Sequence, residues 1–101
     1  MKLIELNIGR IMQLCRLHKV KSLAVFGSIL TERFNDDSDV DFLVDFEPID
    51  HDNFDYVRNY YDFRDALETL FKRRVDLIEE KGIRNKYFVA SVNKTKQVIY
   101  G

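Results

Sequence analysis

The stretch Asp39-Val40-Asp41-Phe42-Leu43-Val44-Asp45-Phe46 decides the fold. Val40, Phe42, Val44 and Phe46 fall on one face; Asp39, Asp41 and Asp45 fall on the other, with Leu43 among them. Alternation with period two marks a strand that buries one side. Pro48 ends it, because proline offers no N–H to a ladder. Upstream, Ser22–Phe26 is short, apolar and β-compatible, and it stops at the turn signal Gly27-Ser28. Downstream, Arg74-Val75-Asp76-Leu77-Ile78-Glu79 reads as a third strand.

Helices fill the intervals. Leu3, Ile4, Ile8, Ile11, Leu14, Cys15 and Leu17 approximate a 3.6-residue period, predicting an amphipathic helix over residues 3–18. Gly9 weakens it somewhat. Residues 29–33 fit one helical turn, and Asn35-Asp36-Asp37-Ser38 is loop chemistry. Asp52 is a candidate N-cap for a long helix over 53–72 that carries Phe54, Val57, Tyr60, Tyr61, Phe63, Leu67, Leu70 and Phe71. Gly82 is a break, Asn85–Val92 suits a short helix, and Gln97–Tyr100 a final edge strand. The expected order is α-β-(α)-β-α-β-α-(β). It describes an α/β or α+β fold, a small mixed sheet flanked by helices.

A length of 101 residues allows one domain, 1–101. With 46% hydrophobic and 33% charged residues the composition suits a globular chain, not a disordered one. The longest uncharged apolar run, Leu23–Leu30, is far short of the roughly 20 residues that span a membrane. Met1–Arg10 has no signal-peptide layout. The single cysteine, Cys15, has no internal disulfide partner, which fits a reducing cytoplasm. A domain this size buries only about two-thirds of its extended-chain surface and has little room to enclose a large substrate. A partner that completes the site is therefore expected.

Net charge is −1, so direct nucleic-acid binding by a basic chain is not expected. The charges are nevertheless segregated. Glu32–Asp55 holds ten acids and one base, Arg33, whereas Lys72–Lys96 holds eight bases and three acids. This is either ordinary solvated surface or a carboxylate site for cations beside a basic surface for phosphates or an acidic partner.

Three features carry chemistry. Gly27-Ser28 follows a buried strand; a residue without a Cβ lets backbone approach a bulky anion, and the serine hydroxyl adds a donor. An ordinary strand-to-helix turn has the same look. Asp39 and Asp41, two apart on a strand, share a face with Cβ atoms roughly 6–7 Å apart. Such carboxylates repel unless a hard divalent cation neutralises them, and Mg²⁺ takes one or two protein carboxylates plus waters and substrate phosphates. The alternative is a polar face open to water. Asp76, between Val75 and Leu77, is either a third carboxylate on a neighbouring strand or a solvent-facing edge residue.

The combination is more specific than its parts. Gly27-Ser28, ten residues, then Asp39-Val40-Asp41 resembles the signature of the DNA polymerase beta-like nucleotidyltransferases. Phe26-Gly27-Ser28, Asp37–Val44 and Arg74-Val75-Asp76-Leu77 resemble its smallest branch, the minimal nucleotidyltransferases, over roughly residues 15–100. The resemblance implies a polymerase beta palm-like fold. It further implies that Gly27 and Ser28 hold nucleotide phosphates, that Asp39 and Asp41 bind Mg²⁺ (two ions), and that Asp76 is the third catalytic and metal-binding carboxylate. ATP is the implied substrate. Minimal nucleotidyltransferases are commonly antitoxins that add AMP to a tyrosine of a helical HEPN-type toxin, which implies a hetero-oligomer in the cytoplasm. Many relatives carry an Ala-Arg-Gly-like stretch after Gly-Ser, where this chain reads Ile29-Leu30-Thr31-Glu32-Arg33. Two alternatives stand beside this reading: an antitoxin that neutralises its partner by binding alone, and transfer to a small molecule.

The remaining candidates read as structural. His18 ends a helix, His51 lies in a loop, and neither has a second ligand at metal spacing. Cys15 falls on an apolar helix face. Tyr56, Tyr60 and Tyr61 join Phe54 and Phe63 in an aromatic cluster, mostly core and in part a possible interface. Lys72-Arg73-Arg74 reads as a solvated helix end or as a grip for triphosphate or a partner. Asp45 and Glu47 read as solvated or paired with the basic segment.

Overall fold

A computed structural model describes residues 1–48 and 55–101. His51, Asp52 and Phe54, considered above as loop, cap and aromatic residues, lie outside the described residues. The chain runs α1 (Lys2–Leu17), β1 (Val20–Phe26), a 3₁₀ turn (Gly27–Leu30), β2 (Val40–Phe46), α2 (Tyr56–Phe71), β3 (Val75–Glu79), a second 3₁₀ turn (Glu80–Gly82), α3 (Lys86–Thr95) and β4 (Gln97–Tyr100). The expected α+β architecture is the observed one, including the edge strand at the end.

The sheet order is β3-β2-β1-β4. β1 is antiparallel to β2 and β4, while β2 and β3 are parallel, so the sheet is mixed. Parallel strands need a long crossover, and α2 supplies it. The alternation in β2 has the expected result: Val40, Phe42, Val44 and Phe46 are buried. They pack under α1 and α2 with Ile11, Leu14, Phe63 and Leu67. The other face carries a smaller cluster of Ala24, Phe26 and Leu43 against Val92 of α3.

Several boundaries differ from expectation. β1 starts two residues early, at Val20, which is buried and pairs with Phe46. β2 starts at Val40, so Asp39 stands just ahead of the ladder. α2 is capped by Asp55, whose carboxylate accepts the Arg58 N–H at 3.1 Å, so its first turn begins at Tyr56. Ile8 and Leu17 were placed on the apolar stripe of α1, yet both are exposed. α3 extends to Thr95.

His18 is structural. Its ring packs against Phe63, and Nδ1 lies 3.2 Å from Oδ1 of the buried Asn59, whose Nδ2 donates to the His18 carbonyl at 2.7 Å. Burial pushes the Cys15 thiol up to about 12, as befits a core residue. Lys72 takes the left-handed conformation (φ 55°) that stops α2 and turns the chain into β3. No helix of the described residues is long and apolar enough to cross a membrane.

Candidate functional site

The strand register assembles the site. Phe26 of β1 pairs with Asp41 of β2, and Asp41 pairs with Asp76 of β3. Cross-strand partners project to the same face. Phe26, Asp41 and Asp76 therefore form one row across three strands, on the sheet face covered by α3. The sequence marked both acids; pairing them directly needed the parallel register.

Asp41 is half-buried, whereas Asp39 and Asp76 are exposed. Burial pushes the Asp41 carboxyl above the usual carboxylate range, and the charges of Asp76 and then Asp39 push the same way. Among the described residues no ion pair reaches any of the three. Asp41 and Asp76, paired in register, and Asp39 near them are thus hard oxygen donors that no ion pair offsets among the described residues. No three His, Cys, Asp or Glu side chains among the described residues stand close enough to hold a metal unaided. Such an open set fits a cation that draws its remaining oxygens from elsewhere, as Mg²⁺ does.

Gly27 abuts this row. Its φ is +77°, a conformation that side-chain-bearing residues rarely adopt. A Cβ built there would overlap the Asp41 carboxylate, with Cγ at 3.3 Å. Glycine is thus required twice, for the turn and for the approach. Ser28 follows, half-buried, in the 3₁₀ turn that begins at Gly27 rather than after Ser28. Its carbonyl accepts from the Thr31 N–H at 2.9 Å and the Thr31 hydroxyl at 2.8 Å. Its own hydroxyl has no hydrogen-bond partner among the described residues. Glu32 and Arg33 are exposed beyond the turn.

Two features escaped the sequence reading. The Tyr60 hydroxyl on α2 donates to the carbonyl of Leu77, the residue after Asp76. Burial raises the pKa of this phenol; Arg64 opposes the rise, while Tyr61 and Asp76 add to it. The sequence placed Tyr60 only in an aromatic cluster read as mostly core and in part an interface. Phe88 of α3 packs edge-on against Phe26 with ring centroids 6.0 Å apart, bringing the start of α3 to one flank of the row. A lone Tyr-Phe pair in a short helix gives no sequence signal of that contact. Of the basic run, Arg73 donates to loop carbonyls and so is engaged within the fold. Asp45 is paired as one alternative had it, with Lys81 Nζ at 3.3 Å.

Comparison with known proteins gives the same answer from three directions. Residues 11–99 match the nucleotidyltransferase domain family. A Methanocaldococcus jannaschii protein, provisionally named a protein adenylyltransferase, is 35% identical over 77 residues, covering 76% of this chain and 74% of the relative. The protein adenylyltransferase MntA of Thermococcus cleftensis is 35% identical over 66 residues, 65% of this chain and 62% of that protein. Among solved structures, a provisionally assigned minimal nucleotidyltransferase superposes with a TM-score of 0.76 at 26% identity, covering 95% of this chain and 92% of that one. A chain of the Shewanella oneidensis complex between a tri-AMPylated HEPN toxin and an MNT antitoxin shares the fold, with a TM-score of 0.65 at 19% identity over 96% and 71% of the two chains.

Proposed function

The chain belongs to the nucleotidyltransferase domain family, and from that premise we propose that it moves AMP from ATP to a tyrosine hydroxyl of a helical HEPN-type toxin and thereby acts as an antitoxin. The observation that carries the reading is the direct pairing of Asp41 with Asp76, beside Asp39 and against Gly27, with no ion pair to offset the three charges among the described residues. The names of the adenylyltransferase relatives and of the HEPN–MNT complex support the choice of acceptor. The whole chain, 1–101, serves as one domain. A free, buried Cys15 suits the cytoplasm.

Gly27 lets the triphosphate lie against the backbone beside Asp41, and the Ser28 hydroxyl donates to a phosphate oxygen. Asp39 and Asp41 would hold Mg²⁺, and Asp76 would serve either as a further ligand or as the base that takes the acceptor's proton. Magnesium, when bound, supplies the positive charge that stabilises the entering and leaving oxygens of a phosphoryl displacement. The acceptor oxygen bonds to the α-phosphorus, the bond from that phosphorus to the bridging oxygen breaks, and pyrophosphate leaves. As the base, Asp76 takes the hydroxyl proton. Little else is asked of the protein beyond positioning and charge, which is how so short a chain suffices.

The test is incubation with the purified helical toxin, Mg²⁺ and ATP labelled at the α-phosphate. Label appearing on a tyrosine of the toxin is the expected result. Neutralised toxin without label would overturn transfer in favour of binding alone.

A further inference from the structure

We propose that Arg73 is the positioning residue for Asp39, an inference that rests on the reading of Asp39 as a metal ligand. Asp39 needs such help because it is exposed and stands ahead of β2, without ladder hydrogen bonds of its own. Metal ligands work from rigid supports. The support here comes from the corner between α2 and β3.

Both neighbours of Asp39 are fastened to that corner. On one side, Arg73 Nη1 donates to the Ser38 carbonyl at 2.9 Å and to the Asn35 carbonyl at 2.8 Å. On the other, the Val40 N–H donates to the Arg74 carbonyl at 3.1 Å. The guanidinium also lies over the Phe34 ring, 4.7 Å from its centroid. The loop it grips is closed on itself. The Ser38 N–H reaches the Asn35 carbonyl at 3.1 Å, the Asn35 N–H reaches the Ser38 hydroxyl at 3.1 Å, and the Asp37 N–H reaches the Asn35 carboxamide oxygen at 2.8 Å. Arg73 joins this preformed unit to the segment from which Asp76 projects three residues later. One corner therefore sets the spacing of Asp39 against Asp76. A planar, always charged guanidinium can stack on Phe34 and bond two carbonyls at once, which a lysine ammonium does poorly.

Arg74 supplies the control. Its side chain is exposed and only its backbone takes part, so Arg74→Met removes the same charge one residue away and leaves both ties intact. The experiment compares Arg73→Met, Arg73→Lys and Arg74→Met with the parent chain. Amide hydrogen exchange is measured over residues 35–40 without metal, and AMP transfer is measured against Mg²⁺ concentration. Arg73→Met should speed exchange at residues 35–40, raise the half-saturating Mg²⁺ concentration about 10-fold and lower kcat about 10-fold, the range for residues that orient metal ligands. Arg73→Lys should fall between, and it keeps the test usable should the methionine variant fold poorly. Arg74→Met should match the parent in exchange at residues 35–40, because both ties to Asp39's neighbours remain. Unchanged exchange and Mg²⁺ dependence in the Arg73 variants would overturn the proposal. Equally faster exchange in Arg73→Met and Arg74→Met would do so too, because it would show a general charge effect. If the parent chain transfers nothing, the enzymatic reading fails, while exchange still decides whether Arg73 holds the Asp39 loop.

Discussion

The parallel pair β2–β3 carries acids at both ends and treats them in opposite ways. At one end Asp45 and Glu79 stand together. Burial and then Asp45 raise the Glu79 carboxyl, and Lys81 offsets part of that while its Nζ sits 3.3 Å from Asp45. At the other end Asp41 is raised by burial, Asp76 and Asp39, and among the described residues no ion pair opposes them. The first end also lines a cavity of about 180 Å³ with Tyr56 and Pro48. Placing acids side by side on adjacent strands costs stability. Where the acids are only structural, this fold supplies a lysine. In the proposed function the open end is completed by a cation that arrives with the nucleotide.

The contrast breaks most sharply if the open end is neutralised by mutation. Asp39 and Asp41 changed together to Asn keep their shape and lose two charges. AMP transfer should fall by about 10³-fold or more, the several kcal/mol that metal-borne charge stabilisation represents. Binding to the toxin should persist, because it would use surfaces away from the acids. A labelled-transfer assay with a parallel pull-down checks both, and near-normal transfer would remove the basis for the carboxylate site.

Gly27→Ala comes next. It forces a Cβ onto a φ of +77° and into the Asp41 carboxylate. A loss of about 1–3 kcal/mol in folding stability is expected from the backbone alone, with kcat reduced as Asp41 is displaced. Denaturant unfolding gives the first number; an unchanged midpoint would show that the turn relaxes freely.

How much of this contrast was legible beforehand follows from the range of each interaction. The period-two pattern over Asp39–Phe46 is local, so the strand and its buried face could be read directly. Gly27-Ser28 and the three aspartates were visible through their spacing. The position of Asp39 outside the ladder was not, because a strand boundary depends on which N–H finds a partner, here Val40 on Arg74. Asp55 and Asp52 offer the same capping chemistry, and only the folded turn chooses between them. Arg73 looked like any helix-end cation, since its partners are carbonyls 35 and 38 residues away. Ile8 and Leu17 fit the helical period, but the period alone does not say how wide a stripe the fold covers, and both are exposed.

Ser28→Ala tests a smaller element of the open end. Its hydroxyl has no hydrogen-bond partner among the described residues, so folding stability should hold while nucleotide binding weakens by about 1 kcal/mol. Calorimetry and thermal melting separate the two; a large fall in Tm with unchanged binding would make Ser28 a turn residue only.

The smallest effect compares the two ends by pH. Asp41 alone changed to Asn should raise metal-free stability at pH 7 by about 0.5 kcal/mol, since a like-charge neighbour is removed. The sign follows from the raised carboxyl. The folded state holds its proton more tightly than the unfolded one, so ionisation lowers stability as pH rises above the ordinary value of 3.8. The gain should therefore vanish below that pH, where both side chains are neutral. Lys81→Met at the paired end should do the reverse at pH 7, lowering stability by leaving Asp45 and Glu79 unopposed. Melting curves in chelator across pH 3 to 8 read both.

The most direct measurement of the central claim is ATP binding to the intact chain by titration calorimetry, once with Mg²⁺ and once with chelator. Three carboxylates that no ion pair offsets among the described residues repel a polyanion brought beside them. ATP should bind with Mg²⁺ and show no measurable heat without it. Equal affinity under the two conditions would contradict a site built from Asp39, Asp41 and Asp76 to be completed by a cation.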